Sequence, residues 1–174
     1  VYCALDYLTQ LGHQSIGFLG GLEYVGNHEP IEDARATSYK NYMKHRHMDY
    51  ETYYKEGNFT SQSGYEMMSE LLESDHVPTA VFAASDAIAF GAMRAIREHG
   101  LQIPHDISII GFNDEETCSY MNPPLTTIHA PAYDMGQHGA NLVYVASNLS
   151  IHTPLKVKIP CELVIRESCA DINS

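Results

Sequence analysis

The sequence predicts an α/β fold built on a mainly parallel, doubly wound sheet. Three observations carry that expectation. Two apolar runs, Thr79-Ala-Val-Phe-Ala-Ala84 and Ile107-Ser-Ile-Ile-Gly-Phe112, read as buried strands. Between them Ile88, Ala89, Ala92, Met93 and Ile96 recur at helical spacing. Upstream, Ser15-Ile-Gly-Phe-Leu19 is a third short apolar run, closed by Gly20-Gly21. Strand and helix signals alternating at this spacing imply βαβ units. A chain of 174 residues is long enough for one globular domain with a real core.

Taken in order, Val1, Ala4, Leu5, Leu8 and Leu11 form a helical stripe, and Gly12 stands where a helix stops. The stripe begins on residue 1 with nothing before it to cap a helix, so sequence upstream is expected. After the strand at 15–19, the stretch through Pro30 is expected to be a long polar loop. Ile31 to about His47 predicts a helix with Ala34, Ser38, Tyr42 and His45 on one face. A weak strand is expected over Glu51 to Lys55. Thr60 can cap a helix carrying Tyr65, Met68, Leu71 and Leu72, and Ser85 can cap the helix that Gly100 ends. After Pro123-Pro124, Leu125 to Ile128 predicts a short extended piece. Pro131 starts a helix with Met135, Leu142, Val143 and Ala146 on one side. Leu155 to Ile159 and Leu163 to Ile165 read as two strands separated by Pro160. There is no internal repeat.

Charge narrows the function. With 10 basic residues against 22 acidic ones the net charge is −12, and such a segment repels a nucleic-acid duplex. No apolar window is long enough to span a membrane, and no signal-peptide pattern is visible. The four cysteines, Cys3, Cys118, Cys161 and Cys169, lack the spacing of a disulfide scaffold and read as thiols in a reducing, cytoplasmic compartment. Asn58-Phe59-Thr60 and Asn148-Leu149-Ser150 are then chance glycosylation matches.

In an open parallel sheet, ligands bind beyond the carboxyl ends of the strands. Three loops occupy that place: Gly20-Gly21 onward, Ser85-Asp86 and Asn113-Asp114. Amide, carboxylate and guanidinium groups there suit a neutral sugar, with hydrogen bonds shared between adjacent hydroxyls beside an aromatic ring. Helix capping explains Ser85-Asp86 equally well, and turn chemistry explains Asn113-Asp114. His45 and His47 lie two apart and make a poor metal pair. The spacing of Gly17, Gly20 and Gly21 is wrong for a dinucleotide fingerprint, and Asp114-Glu115-Glu116 reads as a solvated acidic loop. No catalytic residues, metal ligands or cofactor site are expected.

At these residues the sequence resembles the regulatory core of LacI/GalR-type transcription regulators. The matching pieces are Leu11-Gly-His-Gln-Ser-Ile-Gly-Phe-Leu-Gly20, Ala34-Arg35, Pro78-Thr-Ala-Val-Phe-Ala-Ala-Ser-Asp86, Ala89-Phe-Gly-Ala-Met93, Pro104-His-Asp-Ile-Ser-Ile-Ile-Gly-Phe-Asn-Asp114 and Pro124-Leu-Thr-Thr-Ile128. The resemblance implies a periplasmic-binding-protein-like (type I) fold: two α/β subdomains with a small effector in the cleft between them. On that pattern residues 1–128 form the C-terminal effector-binding subdomain. Residues 129–150 would be the crossover and a helix of the N-terminal subdomain, and 151–174 the return strands and tail. Operator DNA would be bound only through an N-terminal domain absent from this chain.

The same resemblance implies site residues. Arg35 matches an arginine aimed at sugar hydroxyls, against the plainer reading of an ion pair with Glu32 or Asp33. Phe59 matches an aromatic that packs on the sugar ring, against the plainer reading of a core phenylalanine, and Ser85, Asp86, Asn113 and Asp114 complete the wall. Ser85 stands where asparagine is usual and Asn113 where aspartate is usual, which leaves the effector's identity open. Phe90 and Tyr120 match positions of a homodimer interface, and Met93 lies one helical turn beyond Phe90, against the plainer reading of Phe90 and Met93 as core residues. The details are most similar to galactose or β-galactoside operon repressors, making such a sugar the expected effector. A sugar-binding protein of an ABC transporter shares the fold and is the alternative.

Overall fold

A computed structural model describes residues 1–25, 29–31, 33–149 and 155–173. The chain opens with α1 (Tyr2–Gln10), which buries Ala4, Leu5 and Leu8 and ends at Gly12, whose φ of 88° suits glycine. It then enters β1 (Ile16–Gly21), buried along its whole length. A two-stranded ribbon, β2 (Glu23–Val25) and β3 (Glu29–Ile31), leads to α2 (Ala34–His45). Next come β4 (Tyr54–Gly57), α3 (Ser61–Leu72), β5 (Ala80–Ala83), α4 (Asp86–Glu98) and β6 (Ser108–Asn113). A 3₁₀ turn (Glu116–Tyr120), β7 (Thr126–His129), α5 (Ala132–Leu149) and β8 (Glu162–Val164) complete the order.

The main sheet runs β4-β1-β5-β6-β7-β8; the first five strands are parallel and β8 is antiparallel to β7. The expected doubly wound sheet is therefore present, with an antiparallel edge. The chain steps outward from β1 to β4 and then back past it to β5. This reversal puts a crevice between the carboxyl ends of β1 and β5. Helices α1 and α2 pack together on one side, α3 and α4 on the other. The predicted caps are made: Thr60 Oγ1 accepts from Ser63 N at 3.1 Å, and Ser85 Oγ from Ile88 N at 3.2 Å.

Several expectations are corrected. The polar loop after β1 is partly the β2–β3 ribbon, with Glu23 opposite Ile31 and Val25 opposite Glu29; residues 26–28 lie outside the description. On α2 the buried residues are Ala36, Tyr39, Tyr42 and Met43, so the predicted face was right only at Tyr42. Tyr39 sets this rotation: its ring stacks on Phe18 with centroids 5.1 Å apart, and its hydroxyl donates to Ile16 O at 2.7 Å. The strand expected over 51–55 begins only at Tyr54. Asp49 Oδ1 accepts from the amides of Glu51 and Thr52, and that turn takes up the preceding residues. Leu155 to Ile159 is not a strand. Met93, expected at an interface, is fully buried in the core.

Two contacts carry testable consequences. Helices α3 and α4 cross at two glycines: a Cβ on Gly91 would lie 1.8 Å from Ser61 O, and one on Gly64 would lie 2.1 Å from Ile88 O. Gly91→Ala must push the helices apart and should lower the unfolding free energy by about 2–3 kcal/mol in urea titration.

His13 is buried at the α1–β1 turn, with Nδ1 3.0 Å from Thr79 Oγ1 and Nε2 3.1 Å from both Ser108 Oγ and Ala170 O. It ties the C-terminal tail to β6. Burial holds its pKa below the ordinary 6.5, with the Ala170 carbonyl and Asp171 opposing. The folded chain thus binds the proton less readily than the unfolded chain does. Stability should fall as pH drops below about 6.5, by at most about 1.4 kcal/mol per pH unit from this group, and level off once His13 protonates in the fold. Denaturation at pH 7.5, 6.5 and 5.5 should give this decline, and His13→Gln should flatten it.

Candidate functional site

The carboxyl ends of the parallel strands gather Gly21, Ala84-Ser85, Asn113-Asp114 and His129 on one edge of the sheet. Arg35, on the first turn of α2, reaches across the crevice between β1 and β5. Its Nη1 donates to Ala84 O at 2.9 Å, its Nε to Asp33 Oδ1 at 2.9 Å, and its Nη2 to Glu23 Oε1 at 3.2 Å. The guanidinium carbon lies 4.8 Å from the centroid of the Phe59 ring and 5.4 Å from that of Phe112. Phe59 can sit so close because residue 21 is glycine: a Cβ there would be 2.4 Å from the ring. Arg35 is thus held by two rings, two carboxylates and a carbonyl, with three of its five N–H donors engaged.

Asp33 has two tasks. It caps α2 by accepting from Arg35 N at 2.8 Å, and it fixes the side chain of the same residue. The plainer reading of Arg35 as an ion-paired residue is therefore correct at Asp33; Glu32 lies outside the described residues.

The predicted residues part into an open and a closed group. Asn113 is exposed, at a φ of 121°, and Asp114 follows at 64°. Asp114 accepts from Arg166 Nη2 at 2.7 Å through Oδ1 and lies 3.1 Å from His129 Nδ1 through Oδ2. Asp86 is fully buried. Its Oδ1 accepts from Thr127 Oγ1 at 2.5 Å and its Oδ2 from Glu115 N at 2.8 Å. Burial first, then the nearby Asp86 carboxylate, push the Cys118 thiol up to about 12, so it stays protonated. Ser85 is also buried, as the cap of α4. Both readings of this pair hold in part: capping at Ser85, cross-strand bracing at Asp86.

Sequence reasoning missed Glu23, Phe112, His129 and Arg166. Phe112 and His129 end strands whose positions were predicted, so their placement was open to inference. Glu23 lay in an expected loop, and Arg166 arrives from the far end of the chain. Among the described residues no group of three or more metal-ligating side chains is present. No described helix is long and apolar enough to cross a membrane.

Residues 5–169 match the periplasmic binding protein-like domain. The chain belongs to that family. It is 32% identical over 95% of its length to the HTH-type transcriptional repressor MelR of Bacillus subtilis, and 35% over 97% to the HTH-type transcriptional regulator GalR of Streptococcus thermophilus. It is 34% identical over 96% of its length to the HTH-type transcriptional repressor PurR of Pasteurella multocida. The chain spans about half of each, from 49% to 51%. The lac repressor dimer bound to operator and the anti-inducer ONPF superposes with a TM-score of 0.84 at 31% identity, over 96% of this chain and 56% of that one. A LacI family regulator from Enterococcus faecium with bound ribose gives 0.79 at 30%, over 98% and 62%. This periplasmic binding protein-like domain is thus similar to the corresponding part of LacI/GalR-type regulators.

Within the domain, the bracing at Asp86 makes a measurable claim. Asp86→Asn leaves one of its donors without an acceptor, so unfolding free energy should drop by about 2 kcal/mol in chemical denaturation.

Proposed function

We propose that this chain senses a neutral sugar on behalf of a transcription repressor, with one wall of the effector cleft built from Arg35, Phe59, Ser85, Asp86, Asn113 and Asp114. The observation that carries the reading is Arg35, clamped between Phe59 and Phe112 at the point where the strand order reverses. A planar guanidinium fork shares hydrogen bonds with neighbouring hydroxyls, and an aromatic ring beside it covers the apolar face of a pyranose. Asn113 adds an exposed amide to the wall. Ser85, Asp86 and Asp114 act mainly by holding the strand ends in place.

The division into subdomains supports the same reading. Helix α5 carries Tyr133, Met135, Val143 and Tyr144, all more than half exposed. An apolar helix surface of that kind belongs against further protein, and residues 129–150 fit a segment of a second subdomain that closes over the cleft. Residues 151–154 lie outside the described residues. The complete protein would act in the cytoplasm and meet operator DNA through a separate domain, since this acidic segment repels phosphates.

In the homodimer, exposed Tyr120 and half-buried Phe90 would lie in the contact between two copies. Sugar would shift the operator equilibrium only by its difference in affinity for the two arrangements of the subdomains. Galactose or a galactoside is the first effector to test, on the sequence similarity to regulators of that class.

Calorimetric titration of the full-length parent protein with galactose, lactose and allolactose tests this. Arg35→Ala should weaken binding by about 2–3 kcal/mol, roughly 30- to 150-fold, with the fold unchanged by circular dichroism. Equal affinity in the two proteins would remove Arg35 from the site. No binding of any of the three sugars would remove the galactoside assignment.

A further inference from the structure

An arginine fork at a strand-end crevice is at least as good a receptor for phosphate as for a sugar hydroxyl. Something must decide between them. The local charge answers in one direction. Asp33 and Glu23 pair with Arg35, Asp114 pairs with Arg166, and Asp86 is buried behind them. Four carboxylates thus stand against two guanidiniums, with His129 beside Asp114.

The acidic groups are not equivalent. The Asp33 side chain is 7% exposed and caps α2, while Asp86 and Asp114 brace strand ends. The Glu23 side chain is 49% exposed, and its contact at 3.2 Å is with the outer nitrogen of the fork. It sits on the β2–β3 ribbon, with its backbone paired to Ile31. Glu23 is therefore the more solvent-exposed of the two carboxylates on Arg35.

We propose that Glu23 is a specificity-determining residue that excludes anionic ligands (phosphorylated sugars and inorganic phosphate alike) from Arg35. A neutral sugar can hydrogen-bond to both the guanidinium and the carboxylate. A phosphate can reach the guanidinium only by displacing Glu23 or by lying beside a like charge. The inference deepens the sugar-binding reading above and rests on it for the neutral ligand. The exclusion of anions itself can be tested without a sugar.

The test uses the full-length protein, titrated with inorganic phosphate and separately with galactose at low ionic strength, as wild type, Glu23→Gln, Glu23→Ser, Glu23→Asp and Glu23→Gln/Arg35→Ala. Circular dichroism and thermal unfolding check that each variant folds. Removing one unit charge about 5 Å from a partly exposed site should tighten phosphate binding roughly five- to tenfold, and salt should shrink the gain. Glu23→Gln and Glu23→Ser should both gain phosphate affinity. Glu23→Asp should stay near wild type, and adding Arg35→Ala should abolish the gain. Phosphate affinity unchanged in both neutral variants, or a gain that survives loss of Arg35, would overturn the proposal. Galactose binding judges the sugar reading separately: if the wild type ignores galactose, that assignment falls while the phosphate series still decides the role of Glu23.

Discussion

The candidate site depends on one buried carboxylate. Asp86 opens α4, yet its oxygens accept from Thr127 on β7 and from the amide of Glu115 beyond β6. A single side chain therefore holds three neighbouring chain segments in register at their carboxyl ends. Burying a carboxyl group in the interior is tolerable only because each oxygen is satisfied. The arrangement also fixes the backbone next to it: a Cβ at Gly111 would lie 2.3 Å from Asp86 Oδ1, so β6 needs glycine there. Once β6 is held this way, its end turns through two positive φ residues, Asn113 and Asp114. Asparagine and aspartate tolerate that conformation better than other side chains do. Asn113 is left facing outward while Asp114 meets Arg166 and His129.

Against that bracing, the legibility of the sequence has a physical pattern. Strands β1, β5 and β6 were plain because they are buried on both faces and read as unbroken apolar runs. Helix α4 was plain for a different reason: a serine cap, a strong apolar stripe and a terminal glycine agree. Helix α2 was located but its rotation was misjudged. Polarity alone does not reveal that Tyr39, a hydroxyl-bearing residue, is the most deeply anchored side chain on it. The ribbon at 23–31 was invisible because three-residue strands have too little length to display a period.

The site was legible where a residue's neighbour in sequence is also its neighbour in space. Arg35 and Asp33 are two apart, and they pair at 2.9 Å. Phe59 came from resemblance, and its stacking against the guanidinium gives that placement a mechanism. Glu23 and Arg166 could not be found this way, since each reaches the site from an element whose path the sequence did not specify. Met93, one helical turn beyond Phe90, is fully buried, so of its two readings the core one holds.

The distribution of burial then ties the chain's organisation to its chemistry. The core lies between α1–α4 and the sheet, while α5 contributes none of the core's buried residues and carries several exposed large apolar ones. The cluster around Arg35 is therefore held on its own account, because two rings, Asp33, Glu23 and the Ala84 carbonyl fix the guanidinium without help from α5. In the function proposed above, a second wall brought by the segment around α5 would move against it without disturbing those contacts. That separation is what a cleft-closing sensor needs: one face that orients the ligand before closure, and one that reports closure by changing position. On that proposal the contact between Glu23 and Arg35 would persist through the motion, and selection among ligands would precede the signal.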